Sequence, residues 1–245
     1  MLVDCVMFGW ELDMLEGRLH TLSPHVDHFL IAESDHYYQN QPKGFILPDH
    51  WGRFAGFRDK ITYIQVQSDL AKDPWDNEVK HRRSFEPVLN DMLVPSDVIT
   101  VCDVDEWWDP SMFPTSREVV AFNMAKYNMS LHWFHKYELT GVGGYWSYFK
   151  GKNLDHERRK RRHKFYPLTG GVHLTTMGDV NNAIRKMSGY AHSEYNNGSL
   201  SEDTVDCWEN GHFYGEQFEE VDFDDSTPAW IREHRFPADW YRRKQ

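Results

Sequence analysis

The chain has 245 residues, 40% of them hydrophobic, enough apolar material for one large α/β domain or two small ones. Its formal net charge of −11 argues against a nucleic-acid surface, because phosphate backbones are bound by clustered Lys and Arg. No apolar run approaches the roughly 18 residues of a transmembrane helix, so no membrane span is expected.

Leu2–Phe8 reads as a strand leading through Gly9-Trp10 into a helix that starts near Glu11. Leu12, Leu15, Leu19 and Leu22 recur at helical spacing, and Ser23-Pro24 ends the run. Val26–Ala32 is a second strand that finishes in a carboxylate, Glu33. A polar loop through Gly44 and Pro48 leads to a third strand near Ile61–Val66. The pattern then predicts a helix from Trp75 to about Met92, broken near Pro87, and a strand over Val98–Cys102. Strands and helices in this order imply a mostly parallel sheet, with ligand loops at the carboxyl ends of its strands.

After residue 110 the pattern changes. Met129–Leu139 alternates like an antiparallel strand, and Gly141, Gly143 and Gly144 read as the turn of a hairpin-like pair ending in Tyr145–Phe149. Gly170–Thr176 is a short strand, and Asp179 is placed to cap a helix running to about Gly189. One more short helix is expected beyond Ser201, then an acidic, aromatic tail. With no internal repeat and no linker, a single domain is expected, its nucleotide-type half over about 1–110 and its acceptor-type half over about 111–245. Cys5 and Cys102 lie inside apolar runs and no cysteine has metal-ligand spacing, which points to buried free thiols and a cytoplasmic location.

The chemistry concentrates where Val98–Cys102 ends in Asp103, Asp105 and Glu106. Side chains alternate along a strand, so Asp103 and Asp105 leave its end on one face. Two carboxylates held that close repel unless a cation answers them. Hard oxygen ligands at a sheet mouth suit Mn²⁺ or Mg²⁺, which keep positions open for substrate phosphates. Asp222 and Asp224 have the same spacing but no buried strand in front of them, and read as a solvated acidic loop. The basic run Arg158–Lys164 reads either as a solvated face or as a clamp for a diphosphate or an anionic acceptor.

Several separated blocks resemble glycosyltransferase family 17, the enzymes related to the β-1,4-mannosyl-glycoprotein N-acetylglucosaminyltransferase. Phe8-Gly9-Trp10-Glu11-Leu12-Asp13-Met14-Leu15-Glu16-Gly17-Arg18 looks like the family's Phe-x-x-Glu-x-Asp-x-Leu-x-x-Arg opening, and Val26–Ser34 is similar to its Val-Asp-x-Phe-x-x-x-Glu-Ser strand. Asp103-Val104-Asp105-Glu106 matches its metal-binding block. Gly171-Val172-His173 looks like its Gly-Trp-His block with Val in place of Trp, and His192–Asn196 resembles a block of its microbial members. Order and spacing agree from about residue 3 to 200. The resemblance implies a GT-A type α/β/α sandwich, inversion at the anomeric carbon, and UDP-N-acetylglucosamine as the typical donor, with a glycan hydroxyl as acceptor.

Roles follow from leaving-group chemistry. A divalent ion stabilises the charge on a departing diphosphate, with Asp105 as its direct ligand and Asp103 on the ribose or on the metal through water. Phe8, Glu11 and Glu33 stand at the first two strand mouths, where the nucleoside is expected; Arg82 and Arg83 are candidate diphosphate forks. Arg18 is expected to pair with an acid nearby. The base that takes the acceptor's proton is sought among Glu194, the first choice, Glu106, His173 and His192, and either histidine is also a candidate metal ligand. A non-catalytic carbohydrate-binding protein on the same fold is the main rival, and a metal-dependent phosphohydrolase or nucleotidyltransferase the other. The acidic triplet opposes the first, and Asp4, lying inside its strand instead of at the mouth, opposes the second.

Overall fold

Val3, Cys5 and Met7 point to one side of the first strand and Val6 and Phe8 to the other, and both sets are buried. A strand apolar on both faces needs a layer on each, and the computed structural model, which describes residues 1–112, 118–196, 200–213, 215–233 and 235–243, supplies them. Strands β1 (Leu2–Phe8), β2 (His28–Ser34), β3 (Ile61–Val66) and β4 (Val98–Asp103) run parallel in the order β3-β2-β1-β4. Helix α1 (Leu12–Leu22) covers one face, with Leu15, Leu19 and Leu22 fully buried. Each such leucine contributes about 1.5–3 kcal/mol by leaving water. Helices α2 (Pro74–Arg83) and α3 (Phe85–Met92) follow β3, and Phe85 and Leu89 of α3 join the core on the opposite face.

Two local expectations shift. The helical break falls at Ser84, because Pro87 sits in the first turn of α3, where its missing N–H has no partner to lose. The stretch read as polar loop contains a 3₁₀ run, Leu47–Lys60, that buries Leu47 and Phe54.

The second half corrects the expectation of a mostly parallel sheet. Past the two-residue strand β5 (Glu106–Trp107) come β6 (Val120–Asn128), β7 (Trp133–Tyr145) and β8 (Tyr166–Thr175). β6 and β7 are joined by four residues, too short for a parallel crossover, and so pair antiparallel. β7 also runs antiparallel to β4, β8 runs parallel to β6, and β5 closes antiparallel on β8. The order β3-β2-β1-β4-β7-β6-β8-β5 makes one mixed sheet through both halves. It curls far enough that β5, two residues beyond β4 in the chain, pairs at the other end. The fold is thus a single-domain mixed α/β structure with a partly antiparallel sheet.

The glycines read as a hairpin turn lie inside β7. A Cβ on Gly141 would stand 2.2 Å from Cys102 Sγ and 2.8 Å from the Val101 carbonyl, so the residue is small because β4 presses on it. The chain turns away only at the short helix α4 (Trp146–Phe149), then forms α5 (Leu154–Arg159). Asp179 caps α6 (Val180–Gly189) through its side chain on the Asn182 N–H, as expected. Helix α7 (Leu200–Asn210) follows, then the ribbon β9 (His212–Phe213) and β10 (Glu216–Gln217), and β11 (Glu219–Glu220) on β7. Asp222 is exposed and paired with Arg243, consistent with a solvated loop. Among the described residues no helix is long and apolar enough to cross a membrane, and Cys5, Cys102 and Cys207 are buried and free.

Candidate functional site

A cavity of about 310 Å³ opens where β1, β2 and β4 end, lined there by Phe8, Ser34 and Asp103. The segment Asp103–Glu106 runs from β4 to β5 and forms part of its wall. A buried arginine fixes this segment. Arg18 of α1 forms a two-pronged pair with Asp4 inside β1, at 2.8 Å on each prong, and donates through Nη1 to the Asp103 and Glu106 carbonyls. Both side chains are completely buried, and the fork geometry leaves few oxygens unsatisfied. The expected role of Arg18, pairing with a nearby acid, is what the structure shows.

Asp103 and Asp105 both face the cavity, and cations answer each of them. Asp103 accepts from Arg82 at 3.2 Å and from Arg158 at 2.9 Å. Asp105 lies 2.5 Å from Lys186 Nζ and 3.6 Å from His173 Nε2. Burial raises the Asp105 carboxyl, but Lys186 and then His173 outweigh it and hold the group well below the usual carboxylate range. For Asp103 burial is likewise overcome, by Arg158 and Arg82. Burial lowers His173, yet Asp105 and Glu138 on its two sides push it up to about 9. Both carboxylates are therefore ionised at neutral pH.

The remaining sequence candidates divide. Glu11 lines the cavity, and its Oε2 accepts from the Gly9 and Trp10 backbone N–H groups at 3.2 and 2.8 Å. Glu106 also lines it, with Oε1 on Arg158 and Oε2 on the Asp103 N–H. Glu33 is fully buried, and both its oxygens are taken by Lys43, Tyr63 and the Ile46 and Leu47 N–H groups, so it braces the 43–47 segment. Arg82 is buried behind the wall, spanning Glu78, Asp103 and Asp155. Arg83, half exposed, pairs with Glu86 and lines a different, shallow surface depression. His192 reaches the cavity rim against Trp75, with Nδ1 2.6 Å from an exposed Glu194 that is not itself a lining residue.

Sequence reasoning missed Lys186, which sits in an ordinary amphipathic helix and meets Asp105 across 81 residues. The basic run had been legible as a clamp. Arg158, Arg161 and Arg162 do line the cavity, so part of that run faces inward. Burial lowers Arg161 to about 10, still charged at neutral pH. Among the described residues no group of three or more His, Cys, Asp or Glu side chains is arranged to hold a metal on its own. What the arrangement offers is a pair of ionised carboxylates ringed by cations, an environment suited to a polyanion.

The model of glycosyltransferase family 17 matches residues 1–203. No curated protein matches the chain.

Proposed function

Because the chain belongs to glycosyltransferase family 17, we propose that it transfers a sugar from a nucleotide diphosphate donor to a glycan hydroxyl, with inversion, on a GT-A type variant of its curled sheet. The observation that carries this reading is the carboxylate pair Asp103/Asp105 facing a cavity that also presents Lys43, Lys126, Arg158, Arg161, Arg162 and Lys186. A nucleoside diphosphate needs cations over its phosphates, and the cavity supplies them from the loop after β2, from β6, from α5 and the turn that follows it, and from α6.

The donor set fits Mn²⁺ or Mg²⁺. Such ions are held by one or two carboxylates plus substrate phosphates more often than by a closed protein cage, and Asp103 and Asp105 are kept ionised as ligands must be. Asp105 would hold the ion directly and Asp103 beside it, and the bound ion would stabilise charge on the departing diphosphate. His173, held as a cation between Asp105 and Glu138, adds charge beside that position and does not ligate the ion, whereas His192 is engaged with Glu194 at the rim. Arg158 and Lys186 face the same leaving oxygens and share their charge. Phe8 and the neighbouring Trp10 and Tyr37 offer apolar and aromatic surface for the nucleoside. UDP-N-acetylglucosamine is the proposed donor, on the strength of the family.

The test is UDP release from UDP-N-acetylglucosamine at saturating Mn²⁺. Asp103→Asn and Asp105→Asn are each expected to lower turnover by about a hundredfold or more, the scale of losing a transition-state charge contact. Turnover near that of the wild type in either variant would end the assignment.

A further inference from the structure

Behind the first cavity lies a second of about 310 Å³, between the start of α1, the segment after β8, α6 and the 237–240 region. The two share Trp10, Glu11, Asp105 and Lys186, which form the partition between them. Their chemistry differs. The first carries six Lys and Arg side chains, with His173 as a further cation, against six carboxylates. The second has five carboxylates against three cations, one of which, Arg53, is already tied to Asp13 and Glu16. A diphosphate is repelled by that surplus of carboxylates. Neutral hydroxyls are not, and carboxylates and amides such as Asn182 are their usual acceptors and donors, with Trp10 and Trp240 offering flat apolar faces.

Of the four partition residues, Asp105 and Lys186 are bonded to each other and Trp10 donates its indole N–H to Asn182. Two carboxylate oxygens reach the partition with no donor among the described residues, Asp105 Oδ1 and Glu11 Oε1; Asp105 is the proposed ligand of the ion, which leaves Glu11, whose Oε2 is fixed by two backbone N–H groups. The four candidates named from sequence are otherwise engaged: both oxygens of Glu106 are bonded, Glu194 stands outside the cavity, His173 lies between Asp105 and Glu138, and His192 is engaged with Glu194.

We infer that Glu11 is the catalytic base, and that the second cavity holds a neutral, hydroxyl-rich acceptor. This rests on the first cavity being the donor site, as proposed above. The acceptor oxygen forms its bond to the anomeric carbon from the second-cavity side while the bond from that carbon to the diphosphate breaks. The bonding pair leaves on the diphosphate, and the acceptor's proton passes to Glu11 Oε1. Burial raises the Glu11 carboxyl, with Lys186 opposing it, which favours proton uptake.

The experiment uses the full chain with UDP-N-acetylglucosamine and Mn²⁺, with water as the acceptor, and titrates UDP separately. Glu11→Gln is expected to lower UDP release by about 10²–10⁴-fold, the usual contribution of a general base, with UDP affinity little changed. In Glu11→Ala, sodium azide, a nucleophile with no proton to surrender, is expected to restore UDP release and yield the glycosyl azide. Release by Glu11→Gln close to the wild-type rate, or no response of Glu11→Ala to azide, overturns the inference while leaving the donor site standing. Loss of UDP affinity in both variants also overturns it, by placing Glu11 in the donor site. A wild-type chain that releases no UDP removes the proposed function, and this inference with it.

Discussion

His81 is a histidine whose protonation state is set by packing. It is 2% exposed, its Nε2–H donates to the Ala32 carbonyl at 2.8 Å, and Tyr38 Oη donates to Nδ1 at 2.9 Å. Burial, with further opposition from Lys43 and Arg82, lowers its pKa from the ordinary imidazole value of 6.5 to about 4. The unfolded chain therefore takes up a proton at a pH where the fold refuses it. This contribution to stability is complete above about pH 6.5 and is lost as pH falls through about 4. The full loss is on the order of 3 kcal/mol. Urea unfolding followed from pH 7 to pH 4 is expected to show that decline, and His81→Gln to flatten it; equal slopes in the two proteins would contradict the assignment. The Asp4–Arg18 pair acts at the same scale. Breaking a buried pair of this kind typically costs about 3–5 kcal/mol, and here it would also release the carbonyls of the Asp103–Glu106 segment.

At the scale of elements, the seam between β4 and β7 joins the parallel and antiparallel halves. Gly141→Val is expected to destabilise the chain by at least about 2 kcal/mol, since its side chain must displace Cys102 Sγ and the Val101 carbonyl. Denaturant midpoints compare the two proteins directly, and an unchanged midpoint would mean the seam is loosely packed. This seam also shows where sequence reading stops. Strands β1, β2 and β4 were legible because burial on both faces demands continuous apolar runs. Strand β6 was not, because Asn123, Lys126 and Tyr127 are only half-buried and interrupt its pattern. The glycines of β7 were read as a turn because local sequence carries no record of what presses on Gly141 from 39 residues earlier, at Cys102. Asp179 was read correctly because a helix cap is a local contract between neighbours.

For the whole molecule, the curl of the sheet makes the site. It brings β5, just past the end of β4, against β8, so that Asp105 of one half meets His173 and Lys186 of the other. The carboxylates were legible because they end a buried strand. Their cationic partners were not, since Arg158 and Lys186 reach them across 55 and 81 residues. On the proposed function, this assembled cavity binds a nucleoside diphosphate between ionised carboxylates and cations. Calorimetric titration of the full chain with UDP and Mn²⁺ tests it most directly, with Asp105→Asn as the paired protein. The expected result is saturable one-to-one binding by the wild type that Asp105→Asn weakens by at least about tenfold. No binding by the wild type, or undiminished binding by Asp105→Asn, would contradict the claim.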